Sequence, residues 1–262
     1  MWIRELFGGA KPVIGMVHLD PLPGSVNYAG DLAKVISHAQ QDYENLVAGG
    51  IDSVIFCNEN DKPYAKKIGN ETVAAMTAVI LDVTGGRHDL HFGVDLQWDP
   101  TASLAVASAV GAKYIRGIVC GTFCGDLGFF TPDTEQIIKY RHAIGADNVR
   151  IMTNLMPEFS FSMDVRPPEL VAQTVAKSTM SDAICVSGTM AGLAAPYEQL
   201  AAIKDAVPDF PVIANTGVNI DTIASILAIA DACVVATCLK VDCKPENRID
   251  TARVKKLMSA LK

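Results

Sequence analysis

Short runs of apolar, mostly β-branched residues recur along the chain, and a segment with a helical pattern follows nearly every run. Several runs are apolar throughout rather than alternating, which is typical of parallel strands covered on both faces. The pattern predicts eight strands: Pro12–His18, Ser53–Asn58, His91–Leu96, Tyr114–Val119, Val149–Asn154, Ala183–Ser187, Pro211–Asn215 and Ala232–Ala236.

The segments between these strands predict helices. Apolar residues repeat at helical spacing between Leu32 and Val47, and again near the carboxyl end of the chain. Thr131 ahead of a proline and an acid predicts a capped helix start, and Pro167-Pro168 predicts another. Eight β/α units without a linker, over 262 residues, favour one (β/α)8 barrel spanning residues 1–262. A doubly wound sheet is the alternative, because the sequence does not show that the sheet closes.

Composition narrows the class of protein. Half of the residues are apolar and 19% are charged, which excludes a disordered or coiled-coil chain. The formal net charge of −7 argues against nucleic-acid binding, which needs a basic face, but allows a small anionic ligand in a local pocket. No apolar stretch approaches the roughly 20 residues that span a bilayer. The amino terminus lacks the apolar core of a secretory signal, and several of the seven cysteines lie inside apolar runs. We therefore expect a cytoplasmic protein, and self-association is left open.

Polar residues cluster where the predicted strands end. In a (β/α)8 barrel this rim carries the active site. Five of them, from the first four units, form the candidate catalytic set: His18, Glu59, Asp61, Asp95 and Arg116. Further candidates for the substrate rim are Asp20, Asn58, Asp126, Asn154, Ser187 and Asn215.

Acids and an imidazole in one partly dry pocket can have their pKa values tuned for proton transfer. Glu59 and His18 are the strongest candidates for that chemistry. Alternatively, Asp95 and Arg116 form a structural ion pair, and Asp61 caps a turn. A neighbouring carboxylate is expected to raise the pKa of His18, whereas desolvation would act in the opposite direction, so a shift is predicted but not its size.

The loops after the seventh and eighth strands predict a phosphate site. Such loops bind phosphate in many barrels, because small residues let backbone N–H groups approach the anion beside a helix N-terminus. Here a helix is expected from about Asp221, and the candidate residues are Thr216, Gly217, Val218, Ala236, Thr237 and Lys240. The alternative is that Gly217 only permits a turn and that the threonines cap helices.

Signals for cofactors are weak. His18, Glu59 and Asp95 offer mixed nitrogen and oxygen ligands, so a divalent metal is a candidate, yet no metal-binding spacing supports it. The glycines of the segment 121–128 do not follow the dinucleotide fingerprint. We predict no other cofactor. His88 and His91 lie at the opposite end of the third strand, where a solvated role is expected.

Several segments resemble one family. The sequence is similar to the BtpA/SgcQ family in VIGMVHLDPLPG at residues 13–24, NENDKPY at 58–64, YIR at 114–116 with DLG at 126–128, DAICVSG at 182–188 and ATCLK at 236–240. The resemblance implies a TIM barrel of the ribulose-phosphate-binding type. One branch of that family is named for photosystem I biogenesis and another for a sugar-utilisation gene cluster.

The chain departs from the family pattern at three strands. Residues 151–154 read IMTN and lack a Lys-His pair, residues 215–217 read NTG where Gly-Ser-Gly is common, and Ala236 stands where a glycine is common. These departures indicate a divergent subfamily.

Two hypotheses follow. The first is an enzyme acting on a small phosphorylated sugar or similar metabolite, by proton transfer next to a carbonyl or by carbon–carbon cleavage. Glu59 would be the base and His18 the acid or electrophile, with Lys240 as a Schiff-base nucleophile in a weaker variant. The second is a non-catalytic barrel that binds a phosphorylated ligand and serves as an assembly or stability factor.

Overall fold

Eight parallel strands close into a barrel in the computed structural model, which describes residues 1–86, 90–190 and 192–261. The barrel strands are β1 (Val13–His18), β2 (Ser53–Cys57), β3 (Phe92–Asp95), β4 (Tyr114–Gly117), β7 (Arg150–Asn154), β9 (Ala183–Val186), β10 (Val212–Ala214) and β11 (Ala232–Val235). Their order around the barrel is β1-β11-β10-β9-β7-β4-β3-β2. All eight predicted strands are present, and closure between β1 and β11 excludes the doubly wound alternative.

Helices surround the barrel on its outside and at its amino-terminal end. They are α1 (Trp2–Leu6), α2 (Leu32–Gly49), α3 (Asn70–Thr84), α4 (Pro100–Val110), α5 (Thr134–Ala143), α6 (Pro168–Ser178), α7 (Tyr197–Ala206), α8 (Ile223–Ile229) and α9 (Thr251–Ser259). No helix of the described residues is long and apolar enough to cross a membrane.

Two helix starts differ from the sequence prediction. The side chain of Asp133, not Thr131, caps α5 by accepting a hydrogen bond from the Gln136 amide at 3.0 Å. An aspartate three residues before a free amide is well placed for capping, so the proline precedes the helix instead of opening it. Helix α8 begins at Ile223 rather than Asp221, because Asn219 folds the preceding residues into a turn: its Oδ1 accepts from the Asp221 amide at 2.9 Å. Helix α6 starts at Pro168, as predicted.

Side chains fill the barrel in two shells. One core lies between the strands and the helices, and a second, which includes Ile14, Ile55 and Met152, fills the barrel interior. Gly93 allows Tyr114 to cross that interior, since a Cβ at this position would lie 2.2 Å from the tyrosine ring.

Helix α1 closes the amino-terminal end of the barrel. Ile3 is buried there, and Trp2 donates a hydrogen bond from Nε1 to the Asp182 carbonyl at 2.8 Å. His91 differs from the expected solvated role: its ring packs edge-on against Phe7, with 5.8 Å between the ring centroids. His88 lies outside the described residues.

A small antiparallel sheet stands above the carboxyl end of the barrel. Its strands are β5 (Phe123–Gly125), β6 (Gly128–Phe130) and β8 (Ser160–Ser162), in the order β6-β5-β8. Phe123 and Phe130 are buried on its inner face against Trp98 and Ile118. The sequence pattern did not predict this sheet, which joins two loops that are distant along the chain.

Candidate functional site

A cavity of about 330 Å³ opens at the carboxyl ends of the barrel strands. Met16 and Val234 form part of its apolar lining, and so do Trp98 and Ile118, which pack against the inner face of the small sheet. The polar side chains that line it come from seven of the eight β/α units: His18, Glu59, Tyr64, Asp95, Gln97, Arg116, Asn154, Glu158, Asn215, Thr216, Asn219 and Thr237.

A buried ion pair crosses one side of this cavity. Arg116, from β4, donates from Nε and Nη2 to Oδ2 of Asp95 at the end of β3, at 2.8 and 2.6 Å. The acid raises the pKa of the Arg116 guanidinium, so the arginine stays charged. The ion pair that the sequence offered as an alternative to a catalytic role is therefore present. Both of its members also line the cavity.

Arg116 also reaches across the barrel. Its Nη1 donates to Oδ1 of Asn215, which follows β10, at 2.9 Å. Asn215 in turn donates from Nδ2 to the Ser187 hydroxyl at 2.8 Å and lies 3.5 Å from both Asn154 Oδ1 and Glu158 Oε1. The predicted rim residues of β9, β10 and β7 therefore belong to one polar network with the ion pair.

Glu59 is held in place by two neutral donors. Tyr64 donates its hydroxyl to Oε1 at 3.0 Å, and Gln97 donates from Nε2 to Oε2 at 2.9 Å. Lys62 lies farther away, 3.7 Å from Oε1. The carboxylate is fixed at the cavity wall by two neutral donors and pairs more loosely with Lys62.

His18 ends β1 and lines the cavity with its side chain buried. Burial lowers its pKa well below the ordinary value, and the positive charges of Lys240 and Arg116 lower it further. The neutral ring is therefore favoured near pH 7, and the pKa shifts in the direction that desolvation gives rather than the one expected from a neighbouring carboxylate. Its Nδ1 has no hydrogen-bond partner within the described part of the chain, unlike a core histidine satisfied by the backbone.

Glu158 is a site residue that the sequence reasoning missed. It follows β7 by four positions and lines the same cavity as Glu59 and Asp95. Burial raises the pKa of its carboxyl group, although Arg116 acts in the opposite direction. The next residue, Phe159, has a φ of +58°, a backbone conformation that is uncommon for a non-glycine residue and recurs at binding sites.

The predicted anion loops lie at another side of the same cavity. Thr216, Gly217, Val218, Ala236 and Thr237 all line it. Gly217 has a φ of +69°, and a Cβ there would lie 2.0 Å from the Ala194 amide nitrogen, so only glycine fits. Oδ1 of Asn219 already accepts from the amides of Asp221 and Thr222 ahead of α8, so those two amides are not free.

Lys240 does not line the cavity. Its side chain is buried, and Nζ donates to the Pro245 carbonyl. Burial lowers its pKa, and the lysine acts on His18 through its charge. The structure thus places Lys240 behind the site.

Four other predicted residues, one from the catalytic set and three from the substrate rim, do not line the cavity. Three of them form hydrogen bonds or ion pairs that connect loops. Asp61 accepts from the Leu22 amide at 2.8 Å and from Asn58 Nδ2 at 3.0 Å, as expected of a turn-capping acid. Asp20 contacts His38 and Arg248, and Asp126 is exposed at the turn between β5 and β6.

The metal candidates are not assembled. Within residues 1–86, 90–190 and 192–261, no three His, Cys, Asp or Glu side chains are arranged to hold an ion. His18, Glu59 and Asp95 line one cavity, but Asp95 is engaged by Arg116 and Glu59 by Tyr64 and Gln97.

Sequence signals existed for some missed residues. Tyr64 lies in the NENDKPY segment, and Gln97 and Trp98 directly follow the third predicted strand. Trp98 has a φ of +68°, which no local pattern indicates. Glu158 lies in a loop whose course depends on pairing with β5.

These features define a TIM barrel with a polar cavity at its carboxyl face. The chain belongs to the BtpA family, whose sequence model matches residues 9–262. It is 38% identical to the putative sgc region protein SgcQ of Escherichia coli, over 98% of this chain and 96% of that protein. It is 29% identical to the photosystem I biogenesis protein BtpA of Synechocystis, over 100% and 91% of the two chains.

A solved structure shares the fold at low identity. The (S)-3-O-geranylgeranylglyceryl phosphate synthase of Thermoplasma acidophilum, in complex with its substrate sn-glycerol-1-phosphate, superimposes with a TM-score of 0.60 at 16% identity. The match covers 99% of this chain and 96% of that one.

Proposed function

We propose that this protein binds a small phosphorylated metabolite, of the sugar-phosphate class, at the carboxyl face of the barrel. We propose further that it catalyses proton transfer, or carbon–carbon cleavage, next to a carbonyl group. One observation carries the proposal: a single cavity is lined both by proton-handling side chains and by the small-residue loops after β10 and β11.

The loops after β10 and β11 are proposed to bind the phosphate. Their residues are small, and Gly217 has a conformation that only glycine adopts there without a clash. Barrels of this kind commonly hold phosphate at these two loops. The structural neighbour with bound sn-glycerol-1-phosphate supports a phosphorylated ligand.

The ionisable side chains that line the same cavity support the chemistry. Glu59 is held by hydrogen-bond donors and is proposed as the base that removes a proton next to the carbonyl. His18 is neutral, so it acts as a hydrogen-bonding electrophile toward the carbonyl oxygen rather than as an imidazolium acid. Glu158, whose pKa is raised, is proposed to return a proton. Separate environments for two carboxyl groups are a recurring arrangement for acid–base pairs.

A thermal-shift screen across sugar phosphates and triose phosphates tests the binding step. A ligand at 100 times its dissociation constant is expected to stabilise the protein by about 2.7 kcal/mol. Each hit is then incubated in D₂O, where proton transfer exchanges the C–H next to the carbonyl for deuterium, and NMR follows the loss of that proton signal.

Three outcomes separate the alternatives. Stabilisation with exchange or cleavage supports the enzyme. Stabilisation by a ligand that undergoes no reaction supports the non-catalytic binding factor. Stabilisation by unphosphorylated analogues alone would contradict the phosphate assignment.

A further inference from the structure

The outer face of the small sheet is apolar and exposed. Cys124 is the central residue of β5, and it pairs with Phe129 of β6 on one side and Phe161 of β8 on the other. Residues directly opposite in neighbouring strands point to the same face. Phe129 and Phe161 are 67% and 73% exposed. The row across the sheet is therefore ridge, hollow, ridge, with Cys124 in the middle.

The apolar face extends beyond this row. Met163 follows Phe161 by two positions, and its amide continues the pairing by donating to the Thr122 carbonyl at 2.9 Å. Alternation along a strand therefore places Met163 on the same face, where it is half exposed. Val165, two residues further, is almost fully exposed. We call Phe129, Cys124, Phe161 and Met163 the outer apolar face.

The exposed aromatic area of this face is large enough for the centre of a dimer interface of ordinary size. Two phenylalanine side chains with these exposures present roughly 300 Å² of aromatic surface. A stable interface takes about 800 Å² from each partner, with aromatic residues at its centre. The outer apolar face thus supplies the centre, and the surrounding loops would supply the rim.

Charges around the face have both signs. Lys66 donates to the Phe129 carbonyl at one edge, Asp126 is exposed at the turn, and Asp164 pairs with Arg166 beyond the other edge. An uncharged centre with charges of both signs at its rim allows the self-complementary contacts that a two-fold interface requires.

We infer that the outer apolar face is the interface of a two-fold symmetric homodimer, with the symmetry axis passing close to Cys124. The opposite face of the same three strands presents Phe123 and Phe130 to Trp98 at the cavity. Dimerisation therefore braces one wall of the cavity. The inference stands on the sheet alone and does not depend on the proposed function.

Sedimentation velocity over a range of micromolar concentrations tests the dimer. Wild-type protein is expected to dimerise, and the Phe129→Ser/Phe161→Ser variant to be monomeric at the same concentrations, with a dissociation constant raised at least tenfold. Met180→Ser is the matched control, because Met180 is 69% exposed in the loop between α6 and β9, at the amino-terminal end of the barrel and away from the sheet. Met163→Lys is a second interface variant that keeps the test valid if the double variant does not fold.

Cross-linking locates the axis. Facing sheets lie about 10 Å apart, beyond the Cα separation that a disulfide tolerates, so a short bismaleimide is used. Cys243 is replaced by serine first, because its thiol is exposed. Cys124 is expected to link to Cys124 of the second copy, and Cys124→Ser is expected to abolish the product.

Three results would overturn the inference. The first is a wild-type protein that stays monomeric at every concentration, whether or not it binds phospholipid vesicles. The second is a dimer that persists in the interface variants. The third is a dimer that is cross-linked only through another cysteine. None of these results bears on phosphate binding, so a failure here and a failure of the proposed function are distinguishable.

Discussion

The two ends of the barrel are built from the same eight strands but differ in what those strands enclose. At the amino-terminal end, apolar side chains fill the interior and Ile3 of α1 closes it. At the carboxyl end, the inward positions carry Asp95, Arg116 and Asn215 around a cavity of about 330 Å³. Burying such groups costs free energy that apolar packing would not. The difference fits the proposed function, in which the carboxyl end binds and converts a ligand while the amino-terminal end serves stability.

The largest expected effect is at Glu59. Glu59→Gln keeps the shape and hydrogen-bonding reach of the side chain but cannot take up a proton, so turnover of the substrate found by the screen should fall about 10²- to 10⁴-fold. Ligand-induced stabilisation should persist. Glu135→Gln is the control for the loss of a carboxylate, because the Glu135 side chain is exposed on helix α5. Turnover close to that of the wild type would remove Glu59 from the mechanism.

Breaking the ion pair at the same end should cost stability. Arg116→Met leaves Asp95 buried without its partner, and the free energy of unfolding should fall by about 3–5 kcal/mol. Adding Asp95→Asn should recover part of that loss. Denaturant titration of the wild type and the two variants checks this, and an unchanged stability in Arg116→Met would show that solvent reaches Asp95 freely.

The opposite end should respond through packing alone. Ile3→Ala opens a cavity beneath the barrel, and stability should fall by about 2 kcal/mol or more. Ligand binding at the far end should stay within twofold of the wild type. A large loss of binding in Ile3→Ala at a temperature where it remains folded would contradict the separation of the two ends.

The smallest effect is a pH dependence. His18 has a lowered pKa in the folded protein, so the unfolded chain binds more protons below about pH 6.5. Stability present above that pH is therefore lost as the pH falls toward the folded value, at no more than about 1.4 kcal/mol per pH unit. In His18→Asn the loss should be smaller, and the difference isolates His18 from His91, whose pKa is also lowered. Identical pH profiles would refute the shift at His18.

The same His18→Asn variant separates a chemical role from a structural one. We expect turnover to fall by orders of magnitude while the melting temperature at neutral pH changes little, because Nδ1 has no partner to lose. A lowered melting temperature with normal specific activity would assign His18 to the core instead.

Sequence reasoning predicted the barrel because its strands are continuous apolar runs, and that signal is local. It missed the sheet β6-β5-β8, whose three-residue strands become strands only by pairing across two loops. It found His18, Glu59 and Asp95 from their places at strand ends. It missed Glu158 because the position of a residue four places into a loop depends on that distant pairing. It could not distinguish Asp61, whose carboxylate accepts from the Leu22 amide of another loop, from the neighbouring candidates for catalysis.

We propose that a phosphorylated ligand binds at the corner formed by the loops after β10 and β11, and a crystal structure of the protein grown with phosphate or sulfate is the decisive test. We predict an anion within hydrogen-bonding distance of the backbone amides of Gly217 and Thr237. An empty corner, or one filled by a side chain in the presence of the anion, would contradict it.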